Sequence, residues 1–294
     1  MIRVGEINYL NVYPIYYYLK KRLKNGNKIN FIDFVSGTPA FLNRKLQSGN
    51  IDISPSSSFY YILNYSSSYI FPNLSISSKK KVKSIYLFSY KAIENFSENE
   101  TIYITPETLT SVNLLKVLLA EFYKMNLSRI NFIGLKQNDN FELELDSDYG
   151  KKITNGNNFL HIGNNALKLA KNIPGCYHAY DLADLWYKYT GYPFVFALFI
   201  IRKESYDNNK NEFAVLYDNL IESKKMAVSG FKEPAEILLR SDEYKFISFE
   251  ELMDYWTDCL SFNLDANEIG GFNIYSELLY KYKLISKVPN LNFV

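Results

Sequence analysis

The residues best suited to chemistry in this chain are small and polar, and they gather where strands give way to helices. Asn11 follows "INYL" ahead of a helical run, and Ser56, Ser57 and Ser58 follow "IDISP" ahead of another. Thr110 and Ser111 follow "IYITPE" and precede Val112, Leu115, Leu119 and Phe122, which recur at helical spacing. Asn164 and Asn165 follow "LHIG" before a further helix. The first turn of a helix exposes free backbone N–H groups and a partial positive charge, which together hold a carboxylate or phosphate without a formal cation. At any one junction, capping of the helix by the side chain is explanation enough. Four junctions of one kind point further, to an anion site, and both readings stand.

Other chemistries find little support. His161 and His178 stand apart, with no Cys or carboxylate at ligand spacing, so no metal site is expected. His161 lies in an apolar strand and reads as a hydrogen-bonded core histidine. GxSxG, GxGxxG and a phosphate-binding Gly-rich loop are missing, so no nucleotide cofactor is expected. Cys176 and Cys259 form no CxxC and read as reduced thiols.

The elements that must position the junctions alternate. "IRVG" is a strand, Pro14 opens an amphipathic helix, "INFIDFV" (29–35) is a half-buried strand, and "TPAFLNRKLQSG" is a short helix from Pro39 to Gly49. "IDI" (51–53) is a strand and "SSSFYYILN" a helix, giving a β-α-β-α-β rhythm and a largely parallel sheet. The pattern restarts after "VKSIYLFS" (82–89): strand "TIYIT", a helix from Ser111, strand "INFIGL", a polar loop (136–158), strand "FLHIG" and two helices, the second ending at Gly191. "FVFALFII" is apolar without alternation, as in a strand buried on both faces, and the chain beyond about residue 210 is mostly helical. The expectation is an α/β protein of two lobes, residues 1–88 with 197–294 and residues 89–196, joined by crossing strands at 82–89 and 194–201, with a ligand cleft between them. Val82, Ser84, Tyr86 and Phe88 share one face of the first crossing, which puts Ser84 within reach of the cleft.

Composition bounds the partners. The 294 residues are 47% hydrophobic and 22% charged with a net charge of +2, so the chain reads as globular, with no basic face for nucleic acid. The longest apolar run, residues 193–201, is too short to span a bilayer, so no membrane partner is expected. The beginning "MIRVGEINYLN" lacks the pattern of a signal peptide, and the expected location is the cytoplasm.

Several segments, in order over residues 7–199, resemble the chorismate dehydratases of the futalosine route to menaquinone: "INYLNVYPIYYYL", "GTPAFLNRKLQSGNIDISPSSSFYY", "FPNLSI", "VKSIYLFS", "TPETLTSVNLLKVLL", "LHIGNNAL" and "DLADLWYKYTGYPFVFALF". The later "GGFNIY" also suits that family. The resemblance implies a periplasmic-binding-protein-like (type II) fold used as an enzyme, no cofactor, chorismate as the small-molecule substrate and 3-[(1-carboxyvinyl)oxy]benzoate as the product. It implies catalytic roles for Asn11 and Ser84, and substrate binding by Ser57, Ser58, Thr110, Ser111, Gly163 and Asn164. Three departures stand out: Lys79-Lys80-Lys81 where the family has a glycine, Leu109 where it has Arg, and Asn164 where it has Asp. No base is therefore assigned to position 164. A non-catalytic anion-binding protein of the same fold and the related dihydroxynaphthoate synthase are the alternatives.

Overall fold

A computed structural model describes residues 1–25, 30–106, 108–135 and 156–294. Eleven strands and eleven α-helices are found among them. In chain order they are β1 (Ile2–Ile7), α1 (Tyr13–Asn25), β2 (Ile32–Gly37), α2 (Pro39–Gln47), β3 (Ile53–Ser57), α3 (Ser58–Asn64), β4 (Ser68–Ser78), β5 (Ile85–Ser89), β6 (Glu100–Ile104), α4 (Thr110–Val117), β7 (Ile130–Gly134), β8 (Asn158–Ile162), α5 (Gly163–Asn172), β9 (His178–Asp181), α6 (Leu182–Thr190), β10 (Val195–Arg202), α7 (Lys203–Asn208), α8 (Lys210–Ser229), α9 (Lys232–Leu238), α10 (Phe249–Asp254), β11 (Leu260–Ser261) and α11 (Ala266–Lys281).

The strands form two sheets, one per lobe. The first runs β11-β4-β10-β3-β1-β2 and the second β7-β6-β8-β5-β9. In the first, β1 is parallel to β2 and β3, while β10 is antiparallel to β3 and β4. In the second, β6 is parallel to β7 and β8, while β5 is antiparallel to β8 and β9. Both sheets are thus mixed, where a largely parallel one was expected.

Sheet membership also revises the crossings. The expected strand 82–89 becomes regular only at Ile85, and β5 belongs wholly to the second sheet. The other expected crossing, β10, belongs wholly to the first. The chain passes between lobes in the short segments 79–84 and 191–194. The expected loop at 136–158 falls outside the described residues except for its end.

Local chemistry explains the ends of the elements around the cleft. Thr38 caps α2, and Pro39 supplies the fixed φ favoured in a first turn. Asp181 ends β9 and caps α6, accepting from the N–H groups of Ala183 (2.9 Å) and Asp184 (3.3 Å). Its other oxygen accepts from Val82 (2.9 Å) and Lys83 (2.6 Å) in the first connection. One carboxylate therefore ties a helix of the second lobe to the chain that enters it. Burial pushes this carboxyl up to about 6 against the opposing pull of the four N–H donors.

The C-terminal helix α11 straddles both lobes. The Tyr275 hydroxyl donates to the carbonyl of Thr110 at 3.2 Å, and Lys281 and Tyr282 hold Glu121 of the second lobe. Gly271 lets α11 lie directly on the second connection, because a Cβ there would run into the carbonyl of Pro193. This gives a physical reason for the glycine pair in "GGFNIY". β10 is almost wholly buried, matching its unbroken apolar sequence.

Candidate active site

The cleft between the two sheets holds about 580 Å³ of empty space, counting the open solvent at its mouth. Six polar side chains line it: Asn11, Ser57, Ser84, Thr108, Thr110 and Ser111. Gly163 adds backbone, and Ile7, Ile76, Ile85, Ile162 and Phe196 form apolar walls. Among the described lining residues none is charged at neutral pH, and the Tyr9 phenol is the one ionisable group.

Each contribution follows from its element. β1 ends at Ile7, and the turn to α1 carries Tyr9 and Asn11 to the cleft. Asn11 Oδ1 is buried and has no hydrogen-bond partner. A buried amide oxygen without a donor costs about 1–3 kcal/mol, so this atom is poised for a group supplied by a ligand. Thr108 Oγ1 is buried and unpartnered in the same way.

Ser57 and Thr110 are differently occupied. Ser57 Oγ caps α3 through the N–H of Tyr60 (3.2 Å) and meets Thr110 Oγ1 at 2.8 Å. Thr110 Oγ1 also accepts from the N–H of Phe59 at 3.1 Å. A hydroxyl from the second lobe therefore sits at the start of a first-lobe helix, and the two lobes meet there.

The helices of the second lobe answer whether the junctions are only caps. Leu109 is the N-cap of α4 and provides no side-chain hydrogen bond; Thr110 and Ser111 already lie within the helix. Ile162, the N-cap of α5, likewise provides none. Both helices start on the cleft, through Leu109, Thr110, Ser111, Ile162 and Gly163. Neither helix is capped by the side chain of its N-cap residue, and the N-terminal partial charge of α4 favours an anion at the cleft.

Gly163 must be glycine for two reasons. Its φ is +68°, and a Cβ would lie 2.8 Å from the Tyr9 ring. Its N–H donates to the carbonyl of Ser84 at 2.8 Å, which fixes the start of α5 beside Ser84. Ser84 is 2% exposed, and its Oγ accepts from the Tyr255 hydroxyl at 2.9 Å.

Of the eight residues expected in the site, Asn11, Ser57, Ser84, Thr110, Ser111 and Gly163 line the cleft. Ser58 and Asn164 do not. Ser58 is fully buried with its hydroxyl 3.4 Å from Thr110 Oγ1. Asn164 Oδ1 is turned to the N–H of Leu10 at 3.2 Å, where it holds the turn bearing Asn11. Tyr9 and Thr108 were not among the expected site residues. Thr108 stands in the hydroxyl-rich "TPETLTS", which is the signal that could have found it. Tyr9 carries no such signal.

His161 is a core residue as expected, but Nε2 has no hydrogen-bond partner, and burial pushes the ring down to about 4. No group of three His, Cys, Asp or Glu able to hold a metal occurs among the described residues. None of the described helices is long and apolar enough to cross a membrane.

A family model described as menaquinone biosynthesis matches residues 2–281. The chain belongs to this menaquinone-biosynthesis family. A chorismate dehydratase of Thermus thermophilus is 31% identical over 216 residues, covering 69% of this chain and 70% of the relative. One of Campylobacter jejuni is 28% identical over 266 residues, covering 90% and 91%. Among solved structures, a protein of Archaeoglobus fulgidus aligns with a TM-score of 0.72 at 15% identity, over 97% of this chain and 98% of that one. The periplasmic aliphatic sulphonate binding protein of Escherichia coli aligns at 0.64 and 12%, over 99% and 95%. These likenesses give the family member its fold: two lobes of the periplasmic-binding-protein type around a cleft.

Proposed function

We propose that this menaquinone-biosynthesis family member is a chorismate dehydratase, a hydro-lyase acting on the futalosine route. The carrying observation is the N-terminus of α4, left without a side-chain cap by Leu109 and opening onto a cleft with uncharged polar walls. Chorismate is a dianion whose cyclohexadiene ring presents apolar carbon faces. Helix N-termini suit its carboxylates, and the isoleucines and Phe196 suit the ring. The names of the two relatives point to the same substrate.

The reaction needs little beyond positioning and charge stabilisation. The hydrogen on the ring carbon bearing the enolpyruvyl ether is allylic, and its removal leaves a carbanion conjugated to the ring carboxylate. The neighbouring C–O bond then breaks, the hydroxyl leaves as water once protonated, and the ring becomes aromatic. Negative charge grows on the ring carboxylate during the first step, so dipoles aimed at that group lower the barrier more than they aid binding. In this reading α4 holds that carboxylate. Asn11 and Ser84 hold the reacting edge, with the unpartnered Oδ1 of Asn11 accepting from the substrate hydroxyl.

Purified protein mixed with chorismate is expected to remove the cyclohexadiene absorbance and to yield the carboxyvinyloxy-benzoate by mass spectrometry. Stoichiometric binding without turnover would instead mark a binding protein of this fold.

A further inference from the structure

The site has a support that comes from far along the chain. Immediately after α10, residues Tyr255–Cys259 form a single π-helical turn, a wider turn that recurs at functional sites. Two consecutive side chains of this turn reach the residues assigned to the reaction. The Tyr255 hydroxyl meets Ser84 Oγ at 2.9 Å, and Trp256 Nε1 donates to the carbonyl of Leu10 at 2.8 Å, next to Asn11. All of these contacts are buried.

We propose that Tyr255 is the positioning residue for Ser84: it donates to the Ser84 hydroxyl and so commits Ser84's own hydrogen to the cleft. This inference rests on the reading of the cleft as the chorismate site. The direction of the bond follows from burial. Ser84 is the hydrogen-bond partner of the Tyr255 hydroxyl among the described residues, and Tyr255 is 2% exposed. Were Ser84 the donor, the phenol O–H would be a buried donor with nothing to receive it, which is costly. Ser84 Oγ makes no other hydrogen bond among the described residues, and Ser84 lines the cleft. Its O–H is therefore free to donate to a substrate oxygen. Burial also pushes the Tyr255 phenol well above its ordinary value, so it remains a donor at any working pH.

Tyr255→Phe removes one oxygen and keeps the ring that packs the turn. The expected result is a kcat lower by about tenfold, a KM within about threefold, and an unfolding midpoint near that of the parent. The Tyr255→Phe/Ser84→Ala double variant should be no slower than Ser84→Ala alone, because the phenol acts through Ser84. Penalties that multiply, or a kcat unchanged by Tyr255→Phe, would overturn the inference. A crystal structure of Tyr255→Phe supplies a readout that does not need turnover. Ser84 Oγ is expected to leave its present rotamer for a new partner, and an unmoved Oγ counts against the inference. Loss of turnover in the unsubstituted chain sinks the chorismate reading, and the Ser84 rotamer then still decides the role of Tyr255.

Discussion

Asn11 and Ser84 are the residues on which turnover should depend most directly. Ser84→Ala and Asn11→Ala are each expected to lower turnover by tenfold or more, about 1.4 kcal/mol of barrier. Ser84→Ala should leave the thermal midpoint almost unchanged, and parental turnover in either folded variant would remove that residue from the site. Gly163→Ala should act on both fold and site, since it forces a left-handed φ on a residue with a Cβ and drives that Cβ into Tyr9. A loss of about 1–3 kcal/mol in urea unfolding is expected, and an unchanged midpoint would contradict the close approach. These residues were legible because each stands at a strand-to-helix junction or in a recognisable motif. Tyr255 was not, because its contact with Ser84 spans 171 positions, and neither was Trp256, 246 positions from Leu10. No local spacing encodes such pairs. His161 shows a different limit: its burial was legible, but its lack of an Nε2 partner was not. Its folded-state value of about 4 lies below the ordinary 6.5. The unfolded chain therefore takes up the proton first as pH falls, and stability held above pH 6.5 drains away toward pH 4. The loss from this group is about 3 kcal/mol. Asp181 has the opposite sign: its raised value makes stability fall as pH climbs from its ordinary range through about 6. The two slopes offset each other in the parent. Denaturant unfolding of His161→Phe at pH 7 and 4.5 should therefore show the parent losing more than the variant, and equal losses would contradict the histidine assignment.

At the scale of elements, α4 carries the electrostatic argument. Its N-cap is Leu109, which lines the cleft and leaves the first-turn N–H groups to a ligand. Leu109→Asp places a carboxylate on those groups. The helix should gain up to about 1 kcal/mol from the new cap. Chorismate turnover should fall steeply, because the substrate carboxylate then meets a like charge. A KM that does not move in Leu109→Asp would show that α4 does not hold the substrate. The helices and most strands were legible from periodicity, and the stop of α6 was legible from the glycine at 191, which the structure places in the left-handed region with φ 72°. β4 was missed: "SYIFPNLSISS" carries Pro72 and Asn73 inside the strand, and its pairing with β10 is interrupted by register shifts. β9 was missed because its four residues, "HAYD", are half-exposed and its partner lies in β5. The antiparallel members of the two sheets, β10 and β5, were legible as strands, but as crossings between lobes and not each as a member of one sheet. Asp181 links that hidden strand to the first connection. Asp181→Asn keeps one acceptor oxygen where two are used, so a loss of about 1–3 kcal/mol is expected in thermal or denaturant unfolding.

In the whole molecule the site depends on assembly of the two lobes. Asn11 and Ser57 come from the first sheet's side, while Thr110, Ser111 and Gly163 come from the second, and Ser84 stands on the connection between them. No lobe alone completes the cleft. The lobes are joined through Ser57 and Thr110, through Leu10 and Asn164, and by α11 lying across both. The two-lobed plan was legible from the restart of the strand-and-helix pattern. The clamp by α11 was not, since Tyr275 and Lys281 look like ordinary helix residues until the fold brings Thr110 and Glu121 beside them. The central claim is that this uncharged, dipole-lined cleft removes water from chorismate. A single incubation followed by absorbance and mass spectrometry tests it most directly. The account predicts decay of the cyclohexadiene band and a product lighter than chorismate by one water, identified as 3-[(1-carboxyvinyl)oxy]benzoate. Intact chorismate after prolonged incubation with stoichiometric folded protein would contradict it.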